Sequence, residues 1–168
     1  MPEDESTYVS LKLRCAWRLE NPDIYAQYAI TGRRIARECH SAPPKERARC
    51  DAIKLLTSDH AGALPGKLKG DSHEALLLHG VNPKVLLGVL SSGMRERFAG
   101  MNGSNFGDGI YFAEDAAKSD QYARFDSEYD ESSPLHAKLY LDPLANVGAG
   151  TGIQHPGCTV HYLSLIHI

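Results

Sequence analysis

Apolar and polar positions alternate through Tyr8-Val-Ser-Leu-Lys-Leu-Arg-Cys-Ala-Trp-Arg-Leu19, and this period of two predicts a half-buried strand over residues 8–19. Asn21-Pro22-Asp23 then supplies a cap, a first-turn proline and a first-turn acid, and Ile24, Tyr28 and Ile35 follow at helical spacing. A helix over 22–39 is expected, broken by Ser41-Ala42-Pro43-Pro44, with a short helical stretch and Gly and Pro punctuation through residues 45–70. Glu74 to Gly80 carries an apolar run too short for an independent helix and ended by Gly, which predicts a buried strand. Asn82 and Pro83 open a second helix, with Val85, Leu86, Val89 and Leu90 on one stripe and Gly93 as its stop. Residues 98–109 hold four glycines in twelve positions and read as a loop. Ile110-Tyr111-Phe112-Ala113 reads as a short strand leaving it, Ala116 to Phe125 as a helix led by Glu114-Asp115, and Leu135 to Leu141 as a further strand. Neither an internal repeat nor a domain boundary shows.

Length and composition narrow the class. With 168 residues, 42% hydrophobic and 23% charged, the chain can bury one core. A net charge of -3 gives no global field toward nucleic acid or an acidic membrane. The segment Arg33 to Lys54 is locally basic, with seven bases against three acids, and reads as a solvated helical face. Glu114 to Glu131 is locally acidic, with seven acids against two bases, and reads as a solvated loop. An acidic start and the lack of a long apolar run argue for an intracellular protein, cytoplasmic or nuclear, with no membrane partner. The four cysteines form no C-x-x-C pair and read as reduced thiols; Cys158-x-x-His161 lacks a second ligand pair, so no metal is expected.

Leu78-His79-Gly80, then Phe106-Gly107-Asp108-Gly109-Ile110-Tyr111-Phe112-Ala113, then Lys118-Ser119-Asp120-Gln121-Tyr122 form the chain's strongest signal. In this order and at these intervals they resemble the catalytic domain of the poly(ADP-ribose) polymerase family, the tankyrase-like and mono-ADP-ribosylating branches above all. Trp17 to Tyr28 is similar to the family's opening strand and first helix. The resemblance implies an α/β (α+β) ADP-ribosyltransferase fold over residues 1–162, two small facing, mostly antiparallel sheets with flanking helices. It also implies transfer of ADP-ribose from NAD+ to a protein acceptor, or to nucleic acid, with loss of nicotinamide. NAD+ is then a consumed substrate, and no cofactor is implied.

By likeness, His79 hydrogen-bonds an adenosine-side ribose hydroxyl and the Gly80 backbone binds the nicotinamide carboxamide. Tyr111, followed by Phe112 and Ala113 along the site, stacks on the nicotinamide with Tyr122 on the other face. Ser119 gives its hydroxyl to the carboxamide, and Lys118 lies beside it. Ser119 and Tyr122, three residues apart, would share a helical face. Gly107-x-Gly109 is not a Rossmann turn, because a strand follows it where a helix should. One family element has no match: a glutamate on a late strand, which separates poly- from mono-transferring members. No Asp or Glu follows Asp142. Leu163 to Ile168 back-translates as CTG TCT CTT ATA CAC ATC, similar to a transposon-end adaptor. Residues 163–168 are therefore read as a non-native tail on a chain lacking its final strands. Two rivals stay open: a catalytically silent NAD-binding module of the same fold, and an interaction domain in which His79, Tyr111 and Tyr122 are core residues.

Overall fold

The computed structural model describes residues 10–63, 67–95, 107–126, 128–141, 154–156 and 160–167. Helix α1 (Pro22–Ser41) begins where the sequence signals it. Asn21 Oδ1 accepts from the amides of Asp23 at 3.1 Å and Ile24 at 3.2 Å, pairing two donors that the helix start leaves without intrahelical partners. Ile24, Tyr28 and Ile35 form the expected stripe, but it is only half-buried, against the 3-10 turn Gly70–Ser72 and its surroundings. Helix α2 (Pro44–Asp51) and a 3-10 segment, Leu56–Ala63, fill the punctuated stretch.

Strand β1 (Leu76–Val81) follows, then helix α3 (Pro83–Ser92), capped by Asn82 Oδ1 on the Lys84 amide at 3.0 Å. Gly93 ends α3 at a φ of 74°, a backbone region that favours glycine. Helix α4 (Ala116–Asp120) packs on β1. Helix α5 (Pro134–His136) runs on as a π-helical turn, Ala137–Leu141. Strand β2 (Tyr162–His167) pairs antiparallel with β1, from Leu76↔His167 to Val81↔Tyr162. The core joins Val81 and Leu86 to Leu135, Leu139, Tyr140 and Tyr162, with Trp17 set edge-on to Tyr140 at 5.7 Å. No helix among the described residues is long and apolar enough to cross a membrane.

The α+β class holds, and four local expectations are corrected. Residues 10–21 form no strand: no neighbouring strand pairs with them, and Leu13 stays 82% exposed while Trp17 finds the core. Ile110 to Ala113 is reduced to one antiparallel bridge, Leu78↔Ala113. The helix expected to reach Phe125 stops at Asp120, so Tyr122 lies in a turn whose amide donates to the Ser119 carbonyl at 3.1 Å. Leu135 to Leu141 is helical, because Ser133 and Pro134 form a cap and first-turn pair and the Ser133 hydroxyl accepts from the His136 amide at 3.5 Å. Among the described residues there is one two-stranded sheet, not two facing ones. The segment from Leu163, set aside as a tail, supplies most of β2; an apolar run of this length is a ready partner for the open edge of β1. Most of the expected glycine-rich loop, residues 98–106, and Cys158 lie outside the described residues.

Candidate functional site

β1 has two edges with different neighbours. Along one runs β2; on the other, Leu78 exchanges both backbone hydrogen bonds with Ala113, at 2.8 and 2.9 Å. Amide and carbonyl of one strand residue point to the same edge, and the edges alternate with residue number. The Gly80 backbone therefore points to the Ala113 side, just beyond the bridge and opposite the incoming Tyr111 segment. His79 Nδ1 lies 2.8 Å from the Tyr111 carbonyl oxygen. That oxygen can only accept, so Nδ1–H is the donor and Nε2 is left for another partner. The His79 and Phe112 rings sit 5.5 Å apart.

Gly80 is also pressed against α4. A Cβ built there would lie 2.0 Å from the Ser119 carbonyl oxygen and 2.9 Å from the Ala123 amide nitrogen. Only a residue without a side chain permits this approach of strand to helix. Ser119 is 3% exposed, and its hydroxyl is buried without a hydrogen-bond partner. A buried unsatisfied hydroxyl costs about 1–3 kcal/mol.

Tyr111 is 37% and Tyr122 43% exposed, so neither ring is a core aromatic. The Tyr111 hydroxyl donates to the Gly107 carbonyl at 2.5 Å, which ties the end of the glycine-rich segment to the strand side. Lys118 Nζ sits 5.5 Å from the Tyr122 ring centroid and donates to Gln121 Oε1 at 3.3 Å. Ala113 is held by its bridge to Leu78. The structure thus brings His79, Gly80, Tyr111, Phe112, Ala113 and Ser119 around one end of β1, with Lys118 and Tyr122 on α4 and the turn after it.

A second polar centre escaped the sequence reading. Asp126 Oδ2 accepts from the Tyr162 hydroxyl at 2.8 Å and lies 2.7 Å from His136 Nε2 and 3.7 Å from His155 Nε2. Tyr140 and Tyr162 hydroxyls are 3.1 Å apart. Burial pushes both phenols above their ordinary range and pushes His155 below its own. Asp126 and Asp120 belong to the acidic stretch expected as a solvated loop, yet Asp120 is 5% exposed and pairs with His161. The one signal available for this centre was Ser133-Pro134, which as a helix start would have turned His136 off a strand.

Comparison with known proteins settles the family. A family model described as the poly(ADP-ribose) polymerase catalytic domain matches residues 10–141, more than half of the chain. No curated protein matches it. The matched span takes in β1 with its His79-Gly80 pair, the Tyr111 segment and Ser119 on α4, and the chain belongs to the poly(ADP-ribose) polymerase catalytic-domain family, whose general activity is NAD+-dependent ADP-ribosyl transfer.

Proposed function

We propose that the end of β1 is the nicotinamide site of a transferase that moves ADP-ribose from NAD+ to a protein side chain, or to nucleic acid, releasing nicotinamide. The observation that carries the reading is the buried, unpartnered hydroxyl of Ser119, a residue whose backbone packs against Gly80. A primary carboxamide offers one acceptor oxygen and two N–H donors. It can take the Ser119 hydroxyl and the Gly80 amide on its oxygen while donating to the Gly80 carbonyl. Tyr111 and Tyr122, both open to solvent, supply flat faces for the pyridinium ring. His79 Nε2 accepts from a ribose hydroxyl, since Nδ1–H is spent on the Tyr111 carbonyl. Together these contacts fix the leaving group and the sugar, so that the N-glycosidic bond breaks through an oxocarbenium-like state in a set orientation. NAD+ is consumed in the reaction.

Developing positive charge at the anomeric carbon wants a carboxylate, and the sequence carries none after Asp142. The second reading is an NAD-shaped cleft of the same fold that binds without turning over. The losses are distinguishable, because a missing transition-state contact lowers turnover far more than it weakens binding. Calorimetric titration with nicotinamide and nicotinamide release at saturating NAD+ test both. Ser119→Ala is expected to weaken nicotinamide binding about ten-fold, near 1.4 kcal/mol, with no loss of melting temperature, since the hydroxyl has no partner in the free protein. Unchanged affinity in the folded variant would refute the site. Binding without release selects the silent cleft.

A further inference from the structure

We propose that Asp126, His136 and His155 form a binding site for a zinc-like divalent cation, which ties the 126–136 segment to the stretch leading into β2. Their candidate ligand atoms, one from each residue, all lie within 4.8 Å of one another. Asp126 Oδ2 is 2.7 Å from His136 Nε2 and 3.7 Å from His155 Nε2. A tetrahedral ion with bonds of about 2.0–2.1 Å holds its ligand atoms roughly 3.3 Å apart, and these separations bracket that figure. Closing the set around an ion asks only for side-chain adjustment, since the ligand atoms already lie within 4.8 Å of one another.

The donor set selects the cation. Two imidazoles and one carboxylate suit zinc and its transition-metal neighbours, whereas calcium and magnesium want oxygen alone. All three side chains are nearly dry, at 5% exposure for His136, 12% for Asp126 and 0% for His155, so the ligands are largely stripped of water before the ion arrives.

The surroundings do what a ligand shell requires. His136 Nδ1 lies 3.1 Å from the Asp130 carbonyl oxygen and 2.9 Å from the Asp130 amide nitrogen. With a cation on Nε2, Nδ1–H donates to the carbonyl; without one, Nε2–H donates to Asp126 and Nδ1 accepts from the amide. The ring thus has a partner for either tautomer, and the first arrangement is the usual way a protein orients a ligating histidine. The Tyr162 hydroxyl, itself within reach of Tyr140, holds the Asp126 carboxylate from behind. Three protein ligands leave a fourth position for water. An open groove of about 530 Å³, lined by Lys84, Arg124, Asp126, Asp130 and His136 among others, gives the ion a way in. This site is separate from the residues assigned to nicotinamide and does not depend on that assignment.

The contrary reading is a hydrogen-bonded Asp–His–Tyr network that holds no ion. The full chain, stripped with chelator and then dialysed against zinc, should carry one zinc per chain by elemental analysis. Cobalt(II) in place of zinc should give the intense visible bands of a tetrahedral site. His155→Ala and Asp126→Asn should each weaken zinc binding by about a hundred-fold or more, and His73→Ala, a histidine outside the cluster that faces Asp51, should bind like the wild type. If the ligand variants fail to fold, the wild type decides: its melting temperature should rise with added zinc and fall back with chelator. A folded wild type without stoichiometric zinc, or with an unchanged melting temperature, would overturn the proposal. So would ligand variants that bind as the wild type does.

Discussion

Gly80 and Ser119 show how a motif read for one reason can be held in place for another. The resemblance assigns Gly80 to a ligand, yet the nearest obstacle to a side chain there is the carbonyl of Ser119, 2.0 Å from a built Cβ. Neither a strand backbone nor a helix backbone can swing aside as a side-chain tip would. Gly80→Ala is therefore expected to destabilise the fold by about 3 kcal/mol and to cost nicotinamide affinity together with it. Thermal melts and a nicotinamide titration on the same preparation check this; a full-strength melt would mean that α4 does not pack as described. The His-Gly, Tyr and Ser residues could be found in the sequence because their types and order are specific. Their packing could not, since the contact between Gly80 and Ser119 joins residues that no short window compares.

Among the elements, helices were legible where their ends were marked. α1 has its cap, proline and acid in three consecutive residues, and the structure starts it there. None of its residues is buried, so end contacts carry an unusual share of its stability. Asn21 serves twice, because its Nδ2 also donates to the Ser91 carbonyl near the end of α3 at 3.2 Å. Asn21→Ala should cost about 1–2 kcal/mol, and Asn21→Asp, which keeps the accepting oxygen but loses that donor, should cost less. Chemical denaturation of the two variants gives the comparison; equal losses would contradict the capping role. Strands were less legible. The run at 8–19 alternates well, yet its described part, 10–19, pairs with no strand among the described residues, and Leu135 to Leu141 is helical behind its Ser133-Pro134 start.

For the molecule as a whole, stability at alkaline pH is set by the buried tyrosines between α5 and β2. Tyr140 and Tyr162 are each 7% exposed, and Tyr162 donates to Asp126, so ionising it in the fold sets two negative charges side by side. Burial, first of all, raises both phenols in the folded state above their unfolded value near 10. The unfolded chain then loses these protons first, so their stabilising contribution is complete below about pH 10 and declines as pH rises beyond it. Melting temperature is expected to fall above about pH 10, with tyrosinate absorbance from two of the eight tyrosines appearing only on unfolding. Titration of all eight in the intact fold would show that this core is open.

At this scale the sequence by itself determined the α+β class, helices α1 and α3, the strand that carries His79-Gly80 and the order of the family motifs. The helices and the strand rest on neighbours within a few residues, a capping side chain and the amides two or three positions on, a helical stripe, an apolar run ended by glycine, while the class rests on the family resemblance that the ordered motifs carry. Tertiary structure alone decided which candidate strands pair, where α4 stops and how the buried polar centre assembles. Asp126 meets Tyr162 across 36 positions and His161 meets Asp120 across 41. An isolated acid in an acidic stretch looks solvated until the fold brings a histidine and a phenol to it, because burial and hydrogen-bond partners are properties of the packed chain.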